Sequence, residues 1–163
     1  EVFIESLGPY GKIFEDYICQ TYGKRRLVLS YGSGLYIFDK ENKKYLDYII
    51  AEYYRVNKLT KKSDSIYLEI IKNYPEDNII KNNYSYYKAL ENENLDFVEK
   101  LSYETIKKEK ENYNYIDTYA WILYKKGKIN KSKKYIKKAY NLMKKNNEYN
   151  EEIVEHYKEI LGK

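Results

Sequence analysis

Residues Tyr115 to Ala139 read YIDTYAWILYKKGKINKSKKYIKKA, and this stretch decides the fold. Ile116, Tyr119, Ala120 and Leu123 recur at the three- and four-residue spacing that places side chains on one face of a helix. Lys126-Gly127-Lys128 interrupts the pattern, and glycine there supplies a turn that other residues resist. Ile129, Ser132, Ile136 and Ala139 then resume the same spacing. Two short amphipathic helices folded back on each other are the expected result. The small residues Ala120, Ser132 and Ala139 fall where the two helices must come close.

The same design is expected twice more upstream. A first pair has a helix through Tyr45 to Ala51, a break at Asn57-Lys58, and a second helix carrying Ser63, Ile66, Tyr67, Ile70 and Ile71. It ends at Asn73-Tyr74-Pro75, where proline is a common stop. A second pair runs from Ile79 to Leu90, turns through Glu91 to Asn94, and continues with Leu95, Val98, Leu101, Thr105 and Ile106. Asn82 to Tyr86 precedes Asp117 to Trp121 by 35 residues, whereas Leu95 and Val98 precede Ile129 and Ser132 by 34. One extra residue in the second pair's turn accounts for the difference. After Asn150 a last helix is expected, with Ile153, Val154, Tyr157, Ile160 and Leu161 on one face.

A helical pair repeated at about 34 residues, closed by small residues at fixed offsets, resembles the tetratricopeptide (TPR) repeat. The wording NNYSYY, followed one period later by DTYAWILYKKGK, is similar to the closing repeats of bacterial TPR proteins. The resemblance implies an all-α right-handed superhelix of about three pairs, at 44–77, 78–112 and 113–146, with a capping helix over 151–162. Departures are visible: Ala51, Ser85 and Ala120 replace the family glycine of the first helix, and Val98 replaces the alanine that opens the second. These leave the repeat angle open.

What the resemblance implies about function is a scaffold that binds a peptide or helix of another protein in the concave groove lined by first helices. Carried over position by position, the groove residues are Tyr45, Tyr48, Glu52 and Arg55 in the first repeat. The second repeat supplies Asn82, Asn83, Tyr86 and Leu90, and the third Asn114, Asp117, Thr118, Trp121 and Tyr124. Rings offer apolar area at small entropic cost and amides satisfy a guest's backbone. The same residues have a second reading, in which Asn82 and Asp117 fix neighbouring helices and Tyr86 and Trp121 pack between repeats. The carboxylate clamp of chaperone-binding members is not expected. Asn83 fits it, but Tyr48, Glu52, Asn114 and Thr118 occupy the other clamp positions.

Composition narrows the remaining classes. The chain has 163 residues, 23 of them tyrosine, and 30 basic against 25 acidic residues give a net charge of +5. That excess is spread through Lys/Glu-rich helices and reads as solvated faces; the alternative is a nucleic-acid module using second helices such as Lys131 to Lys138. No run of about 18 apolar residues suggests a membrane span. Cys19 is the single cysteine and reads as a free thiol. His156, the single histidine, is expected to be a solvated helix residue, so neither a metal site nor serine-type hydrolysis is indicated. The chain begins at Glu1 without methionine or leader and reads as a fragment or processed product. Its compartment is open between the cytoplasm and a periplasmic or lipoprotein-anchored parent, and its oligomeric state is also open.

Residues 1–42 follow a different rhythm. A helix is expected from Lys12 to Tyr22, then a β-hairpin in which Leu27 to Tyr31 and Leu35 to Asp39 flank Gly32-Ser33-Gly34. Residues 31–47 resemble the early hairpin of class III pyridoxal-phosphate aminotransferases. No Gly-rich cofactor loop or Schiff-base lysine context follows, so no pyridoxal phosphate, and no other cofactor or small-molecule substrate, is expected.

Overall fold

The computed structural model describes residues 43–162. The described residues form seven helices and no strand: α1 (Lys43–Val56), α2 (Thr60–Asn73), α3 (Asn78–Glu91), α4 (Leu95–Lys108), α5 (Tyr113–Lys125), α6 (Ile129–Lys145) and α7 (Glu151–Leu161). The expected helix at Lys12 to Tyr22 and the hairpin at 27–39 lie outside the described residues. A boundary between two compact units falls inside α1, after Ile50, and the packing below concerns residues from Ala51 onward.

The helices begin and end by two local devices, used alternately. The N-termini of α3, α5 and α7 are capped by side chains. Asp77, Asn112 and Asn150 accept from the backbone N–H of Ile80, Tyr115 and Ile153, at 3.1, 3.3 and 3.3 Å. α2, α4 and α6 have no such side-chain bond. They start directly behind a tight turn that contains a left-handed residue, Lys58 (φ 60°), Asn92 (φ 57°) or Gly127 (φ 72°), and the middle turn has a second one, Asn94 (φ 50°). Behind Lys58, Asn92 and Gly127, the next N–H reaches back to a carbonyl of the preceding helix. The bonds are Leu59 to Tyr54, Glu93 to Lys88 and Lys128 to Leu123, at 2.8 to 2.9 Å. The bond behind the turn therefore recurs three times, although the middle turn has one more residue before its next helix and only one of the three sequences contains glycine.

From α2 on, each helix packs on its successor, and α5 packs in addition on α3 and α7. This explains why α5 is buried continuously from Tyr115 to Tyr124. A helix covered on all sides loses the polar face of an ordinary surface helix. Ile106, Tyr115, Ile116, Tyr119, Leu123 and Ala139 form a core cluster around it. Close approach within a hairpin relies on small residues. Ala51 and Ala120 are fully buried, and each gives its carbonyl to a serine hydroxyl of the following helix: Ser63 to Ala51 at 2.9 Å, Ser132 to Ala120 at 2.8 Å. The middle hairpin lacks the bond because Val98 stands where the serine would be. Its own buried hydroxyls, Ser85 and Ser102, have no partner.

Candidate functional site

The groove candidates of the third repeat lie where α3, α5 and α7 meet. Asp117, Thr118, Trp121 and Tyr124 are all buried on α5. α7 supplies the side chains laid over them. The His156 ring stacks on Trp121 with centroids 4.0 Å apart and planes 16° from parallel. Its Nδ1 lies 2.9 and 3.1 Å from the two carboxylate oxygens of Asp117, so the Nδ1–H tautomer donates to the acid. Tyr124 donates its hydroxyl to Glu159 at 3.0 Å. From α3, Tyr86 reaches past α5, donating to Glu152 and placing its ring 6.1 Å from that of His156.

His156 is thus buried, at 6% exposure, and the expectation of a solvated residue is corrected. Its position is explained by periodicity: Tyr86, Trp121 and His156 are separated by 35 residues each, as are Tyr124 and Glu159. α7 repeats the register of α3 and α5, so it carries their inner-face positions as well as an apolar face. Burial pushes the Asp117 carboxyl above the usual carboxylate range, against the pull of the His156 hydrogen bond. Burial, followed by the bond to Glu152, raises the Tyr86 phenol in the same way.

The candidates nearer the start of the chain are arranged differently. Glu52 is a hub: its carboxylate accepts from Arg55 at 2.9 and 3.1 Å, from the Tyr67 hydroxyl, and from Tyr87 at 3.4 Å. Arg55 in turn lies over the Tyr87 ring, 4.1 Å from its centroid. Tyr67 and Tyr87 lie 15 and 35 residues from Glu52 on other helices, a separation that the projection of a single helix does not contain. Asn82 is buried, and its Oδ1 has no partner. Asn83 is half-buried, whereas Leu90 is 51% exposed. Asn114 is exposed and its Oδ1 accepts from the Asn150 amide at 3.3 Å. Tyr45, exposed, and Tyr48, half-buried, lie on the part of α1 that belongs to the other unit. The thirteen candidates therefore do not form one continuous open surface within residues 51–162.

A second cluster escaped the sequence reading. Lys88 of α3 is 1% exposed, and its ammonium is held by Asp64 at 2.8 Å, Glu91 at 2.5 Å and Glu93 at 2.9 Å. Burial alone would lower its pKa, but the three carboxylates outweigh that and hold it above the ordinary lysine value. One cation thereby ties α2, α3 and the turn after α3 together. Among the described residues no group of three or more His, Cys, Asp or Glu is placed to hold a metal ion, and no helix is long and apolar enough to cross a membrane. No protein-family model, curated protein or solved structure matches the chain.

Proposed function

We propose that residues 43–163 are closing repeats of a tetratricopeptide-type array and act as a non-catalytic scaffold, holding a peptide or helix of another protein against the inner side of the first helices. The observation that carries this reading is the repetition of structure at the repetition of sequence. Left-handed turn residues recur at 58, 92 and 127, the backbone bond behind each is the same, and the serine-to-alanine bond recurs in the first and third hairpins. A run of similar hairpins ending in a register-matched helix supports the superhelical arrangement and its hollow side. Contact with the guest falls to the inner-face residues that α7 does not cover. In the middle repeat these are Asn83 and Leu90, flanked by the Tyr86 ring. Leu90 offers exposed apolar area to such a guest.

The test is capture of partner proteins on the immobilised chain, quantified for wild type and for the double variant Asn83→Asp, Leu90→Asp. Leu90 is exposed and Asn83→Asp keeps the size of a half-buried side chain, so the variant is expected to keep the wild-type helical circular dichroism while losing at least tenfold in captured partner. Retention of the same partner by a folded variant would remove the inner face from consideration.

A further inference from the structure

Helix α6 carries seven lysines in 17 residues and no acidic residue. At about 100° per residue, its buried stripe, Ser132, Ile136, Ala139 and Met143, is centred opposite an arc about 160° wide that holds all seven. Every exposed residue of the helix is a lysine or an asparagine. Four lysines elsewhere in the fold are paired with carboxylates: Lys81 with Glu104 at 2.7 Å, Lys88 with its three acids, Lys126 with Asp96 and Glu99, and Lys128 with Glu99 at 2.7 Å; the remaining exposed lysines are scattered over several helices and not gathered on one face. On α6, Lys138 donates to the Lys110 carbonyl at 2.8 Å and Lys144 lies over the Tyr140 ring. Lys131, Lys133, Lys134, Lys137 and Lys145 have no carboxylate, carbonyl or ring partner.

We infer that this face of α6 is a binding surface for the phosphodiester backbone of a nucleic acid, read without regard to base sequence. The chemistry of the surface selects the partner class. Protein interfaces are depleted in lysine and built around aromatic, Met and Arg anchors, which this face lacks. A helix that inserts in a lipid surface needs a free apolar side, and that of α6 is buried in the core. What remains is a row of point charges interleaved with amides, about 21 Å long from Lys131 to Lys145, a length that spans about six base-pair steps of duplex axis and so reaches phosphates on both sides of a groove. Lysine contributes charge without the bidentate geometry that reads guanine, so the contact is to backbone and not to bases.

The experiment is fluorescence anisotropy of the whole chain with a 20-base-pair DNA duplex and an RNA duplex of equal length. Five phosphate contacts predict a salt slope near −4.5, an affinity loss of about 500-fold between 50 and 200 mM salt. The variant with Lys131, Lys133, Lys134, Lys137 and Lys145 all changed to Gln is expected to lose binding. A second variant with Lys61, Lys62, Lys72, Lys100 and Lys158 changed to Gln is expected to keep it. Both carry the same net charge, because five cations leave a chain of +5. All these positions are exposed except Lys133, which is half-buried, and the melting temperature of each variant checks folding. Preference for one duplex over the other identifies the source of the phosphates. Absence of binding at 50 mM salt, equal loss in both variants, or binding to anionic phosphatidylserine vesicles with none to either duplex would each overturn the assignment.

Discussion

Replacing His156 by alanine tests the junction of α3, α5 and α7 directly. The substitution removes the hydrogen bond to Asp117 and the ring stacked on Trp121. A hydrogen bond to a buried charge contributes about 1.5–3 kcal/mol and a stacked ring pair about 0.5–1.5, so the loss is about 3 kcal/mol. For about 120 residues an unfolding entropy near 2.1 cal/mol/K per residue converts this into a fall in melting temperature of about 12 °C. Trp121 is the only tryptophan, so its emission follows the departure of α7 while circular dichroism follows the whole fold. The carboxyl left behind adds a pH signature. Asp117 already lies above its ordinary value through burial, and without His156 it rises further. A carboxyl raised in the folded state favours the fold below its unfolded value, and that contribution is lost as pH climbs through the folded value. The deficit relative to wild type should therefore be largest near pH 7 and shrink toward pH 4. Adding Asp117→Asn should recover part of it at pH 7. A fall below about 4 °C with unchanged Trp121 emission, or a deficit of the same size at both pH values, would refute the account.

Three further outcomes are expected. Ser85→Ala removes a buried hydroxyl without a partner and restores the residue found at positions 51 and 120, so urea denaturation should show a gain of about 1 kcal/mol; a loss of that size would mean the hydroxyl is satisfied. Gly127→Ala meets no atom within 4 Å but must hold φ at 72°, so it should cost about 1 kcal/mol by conformation alone, whereas Lys58→Gly at φ 60° should add a similar amount. Burial pushes the phenols of Tyr84, Tyr115 and Tyr119 from 10.0 to about 12. Their contribution to stability is complete below pH 10 and is lost through pH 12, so tyrosinate absorbance should appear there together with loss of helix; titration of all 23 tyrosines near pH 10 in a helical protein would contradict this.

The hairpins were legible because helix period and turn residues are local properties. Asn57-Lys58, Glu91 to Asn94 and Lys126 to Lys128 are breaks in the pattern, and the turns lie there. The environment of α5 was less legible. Ile116, Tyr119, Ala120 and Leu123 mark one apolar face, but the packing of α3, α4, α6 and α7 around this helix buries its other faces too, and Asp117 and Thr118 with them. Polar residues on such a helix are indistinguishable in sequence from groove residues, since both interrupt an apolar run. The fate of His156 depended on a distance of 39 residues to Asp117, which no window of one helix contains. The balance of charges was similarly concealed: composition counts Lys88 and Lys131 alike, yet one is enclosed by acids and the other has none.

The α7 register also bears on what the insertion of a further hairpin would do. Because the last helix meets α5 through residues spaced as α5 itself is spaced from α3, a duplicate of residues 113–147 inserted before Glu148 would present α7 with an identical docking face. The tie that such an extension breaks is the one from Tyr86 to Glu152 and His156, which skips a helix and spans 66 residues. Such a duplicate would place Trp121, which has no hydroxyl, in the position from which Tyr86 now donates to Glu152.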